Sequence, residues 1–207
     1  MNIRRLILEG EGATLDFKNR ITSQEKIAKT LVAFANNKGG KLLIGVADNG
    51  TIKGVKNEDE EKYMLIQAGN FFCRPAIEPF FEEVYIDDKL VLVAEIHESD
   101  AKPHYALGDD KKWWVYIRVQ DKSVLASKVV VDVLRREQKG EGTFIEYSSK
   151  EKALLEYLES HHRITVKDYS KILNLSKRRA QRILVNLVLA GVIRVHTTEK
   201  EEFYTAS

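Results

Sequence analysis

The chain of 207 residues is 43% hydrophobic and 31% charged, with a formal net charge of +2. That is the make-up of a soluble globular protein with room for one large domain or two small ones, and its near-balanced charge names no partner. One cysteine, Cys73, leaves no intrachain disulfide and no thiolate metal cage, and points to a reducing compartment. No apolar run reaches membrane-spanning length, and Met1-Asn2-Ile3-Arg4-Arg5 is not followed by a signal-peptide core, so a cytoplasmic protein without a membrane partner is expected.

Residues 6–8 lead into Gly10 and Gly12, which mark an irregular approach around Glu11. Residues 14–18 alternate as a strand does, with Leu15 and Phe17 on one face and Asp16 and Lys18 on the other. Thr22-Ser23-Gln24-Glu25 has the form of a capping box, and Ile27, Leu31, Phe34 and Ala35 recur behind it at helical spacing. Gly39 or Gly40 supplies the left-handed backbone that closes this helix. Residues 42–46 form a short apolar run, the pattern of a strand covered on both faces. Asp48-Asn49-Gly50 is turn chemistry, and residues 52–55 read as the returning strand.

A second helix is predicted over 58–72, with Met64, Leu65, Ala68, Phe71 and Phe72 as its apolar stripe. Glu58-Asp59-Glu60-Glu61 suits its N-terminal dipole, and Pro75 and Pro79 cannot continue it. Residues 80–86 and 90–97 make a hairpin around Asp87-Asp88-Lys89, and 99–112 form a long polar loop. A strand over 113–120 follows, then a helix through 129–136 capped by Ser127. Hairpins mixed with crossovers predict an α+β domain around one mixed sheet over residues 1–137.

Residues 138–147, polar and holding Gly140 and Gly142, read as a linker. From 148 to 207 the pattern becomes three helices and a ribbon. Leu154, Leu155 and Leu158 anchor the first helix, and Tyr169, Ile172 and Leu173 turn inward from the second. Ser176 caps the third, on which Ala180, Ile183, Leu184, Leu187 and Val188 share a face. Residues 192–196 and 203–204 form a two-stranded wing, so this domain resembles a winged helix-turn-helix.

The first domain resembles a known family. Its motifs are Glu11 followed five residues later by Asp16-Phe17-Lys18, the helix end Ala33-Phe34-Ala35-Asn36, Gly39-Gly40, the strand Ile44-Gly45-Val46 and then Asp48. Lys102-Pro103-His104-Tyr105 and Tyr116-Ile117-Arg118-Val119 complete them. Together they are similar to the AlbA_2 domain, a nucleic-acid-binding module that also forms the core of Schlafen proteins. Asp16 stands where Glu is usual and Ala47 where a first Asp often stands. In some Schlafens the carboxylates matching Glu11, Asp16 and Asp48 belong to a metal-dependent endoribonuclease centre. The resemblance therefore implies a rival reading in which these three hold Mg²⁺ or Mn²⁺ and cut RNA. The plain alternative is that Asp48 caps a turn while Glu11 and Asp16 pair with nearby lysines. The family has also been described as a divergent ATP-binding group. Gly39-Gly40-Lys41 is not a P-loop, since Ala35 and Leu42 stand where its Gly and Ser or Thr belong.

The third C-terminal helix carries the better-founded site. Lys177, Arg178, Gln181 and Arg182 lie toward the front of its first turns, where a recognition helix meets the major groove. Arg reads guanine and Gln adenine, while Lys167, Lys171, Lys177 and Arg179 neutralise phosphates. The plain alternative is a solvated basic face on a protein-interaction domain. Lys102, His104, Lys111, Lys112 and Arg118 are a second, weaker basic set, and one of Trp113 and Trp114 is expected in the core because strand neighbours alternate faces. Val185, Leu189 and Val192 lie off the core stripe and suggest a homodimer. The reading is a DNA-binding transcriptional regulator that acts on double-stranded DNA and requires no cofactor, rather than an enzyme.

Overall fold

The computed structural model describes residues 2–139 and 148–207. The chain divides into two compact units, Met1–Ala126 and Ser127–Ser207. The first contains α1 (Ile3–Glu9), β1 (Leu15–Lys18), α2 (Gln24–Ala35), β2 (Gly40–Ile44), α3 (Glu58–Phe71), β3 (Cys73–Arg74), β4 (Phe80–Ile86) and β5 (Lys89–Ile96). Four short strands close it: β6 (Tyr105–Leu107), β7 (Trp113–Trp114), β8 (Tyr116–Val119) and β9 (Lys122–Leu125).

The main sheet runs β1-β2-β5-β4, with β1 parallel to β2 and the other pairs antiparallel. It is the expected mixed sheet of an α+β domain. β2 is buried on both faces: Leu42 and Ile44 pack beneath α2 and α3, and Leu43 joins Leu15, Phe17, Val91 and Val93 beneath α1. This two-sided burial is why the run shows no polar alternation. Gly40 is required by contact, since a Cβ there would lie 2.4 Å from the Phe34 ring. Gly39, at φ +72°, turns the chain out of α2.

Several expectations are corrected. α1 spans residues to which no element was assigned from sequence, and it ends at Gly10, ahead of the irregular approach expected around Glu11. Ser23 alone caps α2, accepting from the Lys26 amide, so Thr22 and Glu25 form no capping box. The expected returning strand at 52–55 is a single bridge between Val46 and Ile52. Phe71 is exposed, leaving Leu65 and Ala68 as the buried members of the expected stripe, with Met64 and Phe72 partly buried beside them. The expected strand over 113–120 divides at buried Val115: β7 joins a three-stranded sheet, β3-β6-β7, while β8 pairs with β9.

The second unit contains α4 (Lys128–Lys139), α5 (Ser149–His161), α6 (Val166–Ile172), α7 (Lys177–Leu189), β10 (Ile193–Thr197) and β11 (Glu202–Ala206). Ser148, Thr165 and Ser176 cap α5, α6 and α7 with their hydroxyls. β10 and β11 form an antiparallel ribbon, and Ile164 bridges to Tyr204. Tyr169, Leu154, Leu158, Ala180, Leu184 and Tyr204 fill the core, whereas Ile172, expected inward, is exposed.

α4 belongs to this unit and not to the first domain. Its Val129 and Val133 join the C-terminal core, and its Arg136 Nη1 donates to Asn186 Oδ1 of α7 at 2.7 Å. The first unit thus ends at Ala126 instead of 137. Positions 138 and 139 of the expected linker are the last residues of α4, and the rest of it, 140–147, lies outside the described residues. Among the described residues no helix is long and apolar enough to cross a membrane.

Candidate nucleic-acid interface

The acidic set divides. Alternation along β1 turns Asp16 away from the Leu15 and Phe17 side and toward Arg118 on β8. Arg118 Nη1 lies 3.3 Å from Asp16 Oδ2, and its Nη2 donates to the Gly12 carbonyl at 2.8 Å. Lys18 Nζ holds the other Asp16 oxygen at 2.8 Å. Glu11 Oε1 accepts from the Phe17 amide at 2.7 Å. Burial, then a hydrogen bond with Asp16, pushes the Glu11 carboxyl up to about 7. Asp48 is exposed beside the turn at Asn49.

Among the described residues, no group of three His, Cys, Asp or Glu side chains is placed to hold a metal ion. Of the expected site residues, Glu11 and Asp16 are hydrogen-bonded to each other, whereas Asp48 is exposed and does not complete a group of three with them. The physical reason is local: two protein cations already neutralise Asp16, and Asp48 stands apart on the surface.

The second basic set also disperses. His104 is buried, with Nδ1 2.9 Å from the Pro75 carbonyl and Nε2 2.6 Å from Ser99 Oγ. Burial lowers its pKa below the ordinary value. Lys102 pairs with Glu98, and Arg118 is the buried partner of Asp16. Only Lys111 and Lys112 of that set are exposed. Trp113 and Trp114 are 36% and 38% exposed, so neither fills the core. Cys73 is buried, and burial pushes its thiol up to about 12. His161 and His162 are exposed at the end of α5.

The C-terminal basic residues stand where a ligand can reach them. Lys167 and Lys171 on α6, and Lys177, Arg178, Arg179 and Arg182 on α7, are all exposed, and Gln181 is half-buried. Among the described residues none of these six cations has an ion-pair partner. Arg163 is bound by Glu201 at 3.0 Å, and the turn of the ribbon carries Glu199 and Glu201 with Lys200 between them. Anion contact is thus favoured at the first turns of α7, with Lys167 and Lys171 of α6 as further exposed cations.

The outward side of α7 is partly occupied. Val185 lies opposite the Ala180, Ile183 and Leu184 stripe, yet it is only 2% exposed because α4 covers it. Leu189 and Val192 are half-buried against the same core. The apolar positions on which a homodimer was expected are therefore used inside one chain. Beyond this contact, α4 and α7 frame a groove of about 770 Å³. Among the described residues its lining cations are Lys128, Arg135 and Arg136 from α4 with Arg178, Arg179 and Arg182 from α7, against one acid, Asp132. The α4 cations were missed in sequence because that helix was assigned to the first domain, although its Val129 and Val133 stripe with Arg135 and Arg136 behind it was visible.

No curated protein matches the chain. A solved structure of the N-terminal domain of a RecG-related protein from Nitrosomonas europaea is 23% identical with a TM-score of 0.42, over 53% of this chain and 82% of that one. The DIP2311 protein of Corynebacterium diphtheriae is 18% identical with a TM-score of 0.46, over 66% of this chain. The match covers 30% of that protein, less than a third of its length. Residues 144–203 match the PCI domain model. Residues 11–127, more than half of the chain and nearly all of the first unit, match the model described as Schlafen, AlbA_2. The chain belongs to the Schlafen AlbA_2 family.

Proposed function

We propose that the protein is a nucleic-acid-binding regulator of transcription whose C-terminal unit, a winged-helix variant, docks on double-stranded DNA. The observation that carries this reading is the set of six exposed cations on α6 and α7 without ion-pair partners among the described residues. Such a set is costly to keep so close together unless an anion neutralises it, and the phosphate backbone supplies one. Membership in the AlbA_2 family supports the same partner class. Because α4 covers Val185, docking runs through the first turns of α7, with Lys177 and Arg178 foremost, and not along the whole helix.

The test is fluorescence anisotropy of the intact chain on labelled duplex DNA across a salt series. The wild type binds with strong salt dependence, and the variant Arg178→Glu/Arg182→Glu loses binding. Equal binding by that variant rejects the reading.

A further inference from the structure

We infer that the groove between α4 and α7 is a phosphodiester-binding channel, so that α4 is part of the nucleic-acid interface and not a spacer. This rests on the nucleic-acid reading above and adds a second wall to it. Among the described residues, six cations face one acid across about 770 Å³. Asp132 is engaged by Arg135 at 3.6 Å, so it offsets the α4 side more than the α7 side. The wall is built to keep its position: Arg136 is tied to Asn186 at 2.7 Å, and Val129 and Val133 anchor α4 in the core.

Size selects the occupant. A major groove about 12 Å wide takes one helix about 10–12 Å across. Packed helices lie about 8–10 Å apart, so α4 cannot share a groove with α7. When the first turns of α7 meet a nucleic acid, α4 is forced across the adjoining backbone, and the space between the helices receives a chain of phosphates. Lys128 and Arg135 then face phosphates from one side, with Arg178 and Arg182 on the other. Gln181, half-buried in the groove lining, faces the backbone and not an adenine edge. The same chemistry is offered by the flanking strand of a duplex and by a free single strand.

The experiment compares the intact wild-type chain with Lys128→Gln/Arg135→Gln and with Asp132→Asn, by anisotropy on a labelled duplex and a labelled single strand over a salt series. All three positions lie on the solvent side of α4 or in the groove, and circular dichroism melts check that each variant folds. The double variant is expected to bind roughly ten-fold more weakly near 0.1 M salt. Its slope of log K on log salt should fall by about 1.8 on a duplex or about 1.4 on a single strand, the values for two lost phosphate contacts. Asp132→Asn is expected to bind more tightly, a direction that a merely structural role does not give. Weakening on the duplex alone assigns the channel to the flanking strand of a double helix, and weakening on the single strand assigns it to a free strand. Unchanged slopes on both, with Arg178→Glu/Arg182→Glu still losing binding, overturn the channel and leave the α7 reading standing. Unchanged binding by all variants removes both.

Discussion

Arg118 and Asp16, 102 residues apart, form a buried ion pair, with side chains 1% and 6% exposed and a nitrogen–oxygen distance of 3.3 Å. The pair fastens β8 to β1, and the Arg118 guanidinium also lies 4.9 Å from the Phe34 ring centroid. It converts what looked in sequence like a ligand and a rim cation into one structural contact.

Removing the arginine leaves Asp16 with Lys18 as its one remaining cation in a buried site. Arg118→Met is expected to lower the unfolding free energy of the first unit by about 3 kcal/mol. Denaturant unfolding followed by tryptophan fluorescence measures it, since Trp113 and Trp114 both belong to that unit. A loss under about 1 kcal/mol means the pair contributes little.

Glu11 predicts a pH dependence of defined sign. Its carboxyl ionises near 7 in the folded chain and near 4.5 otherwise. Below pH 4.5 it is protonated in both states and has no effect. From 4.5 to 7 the unfolded chain loses that proton while the folded chain keeps it, so this group lowers stability as pH rises, and the loss is complete above 7. Glu11→Gln retains an oxygen to accept from the Phe17 amide and does not ionise. Its Tm should exceed that of the wild type by a margin that grows between pH 4.5 and 7 and is constant above. A margin that shrinks over that window contradicts the assignment.

The acidic residues predict no metal cage. Adding Mn²⁺ should leave the Tm of the wild type and of Asp48→Ala equally unmoved. A Mn²⁺-dependent rise in the wild type that Asp48→Ala abolishes would restore the metal reading.

Val185 joins α7 to α4. Val185→Ala should lower the stability of the second unit by about 2 kcal/mol, the scale for removing buried methyl groups, with no change of mass in light scattering. A mass change without a stability change would mean that this face serves a second copy instead.

Much of the fold was legible because it rests on local rules. The buried β2 strand showed as an unbroken apolar run, the Asp87-Asp88 turn showed between two strand patterns, and Ser176 announced α7. What stayed hidden depends on distant partners. Nothing near Arg118 says that it meets Asp16, and nothing near Val129 says that its helix packs on α7 and not on the sheet. The same long-range packing decides the site: Lys177, Arg178 and Arg182 were found from their own helix, whereas Lys128 and Arg136 enter only once α4 is seen beside them. Short elements such as β7 and β9 lack enough periods to register at all.

The most direct test of the central claim is the salt dependence of duplex binding by the intact chain, measured beside Arg178→Glu/Arg182→Glu. A steep fall of log K with log salt in the wild type, and no measurable binding by the variant, is the predicted result. Wild-type binding that is flat in salt, or a variant that binds as tightly as the wild type, contradicts it.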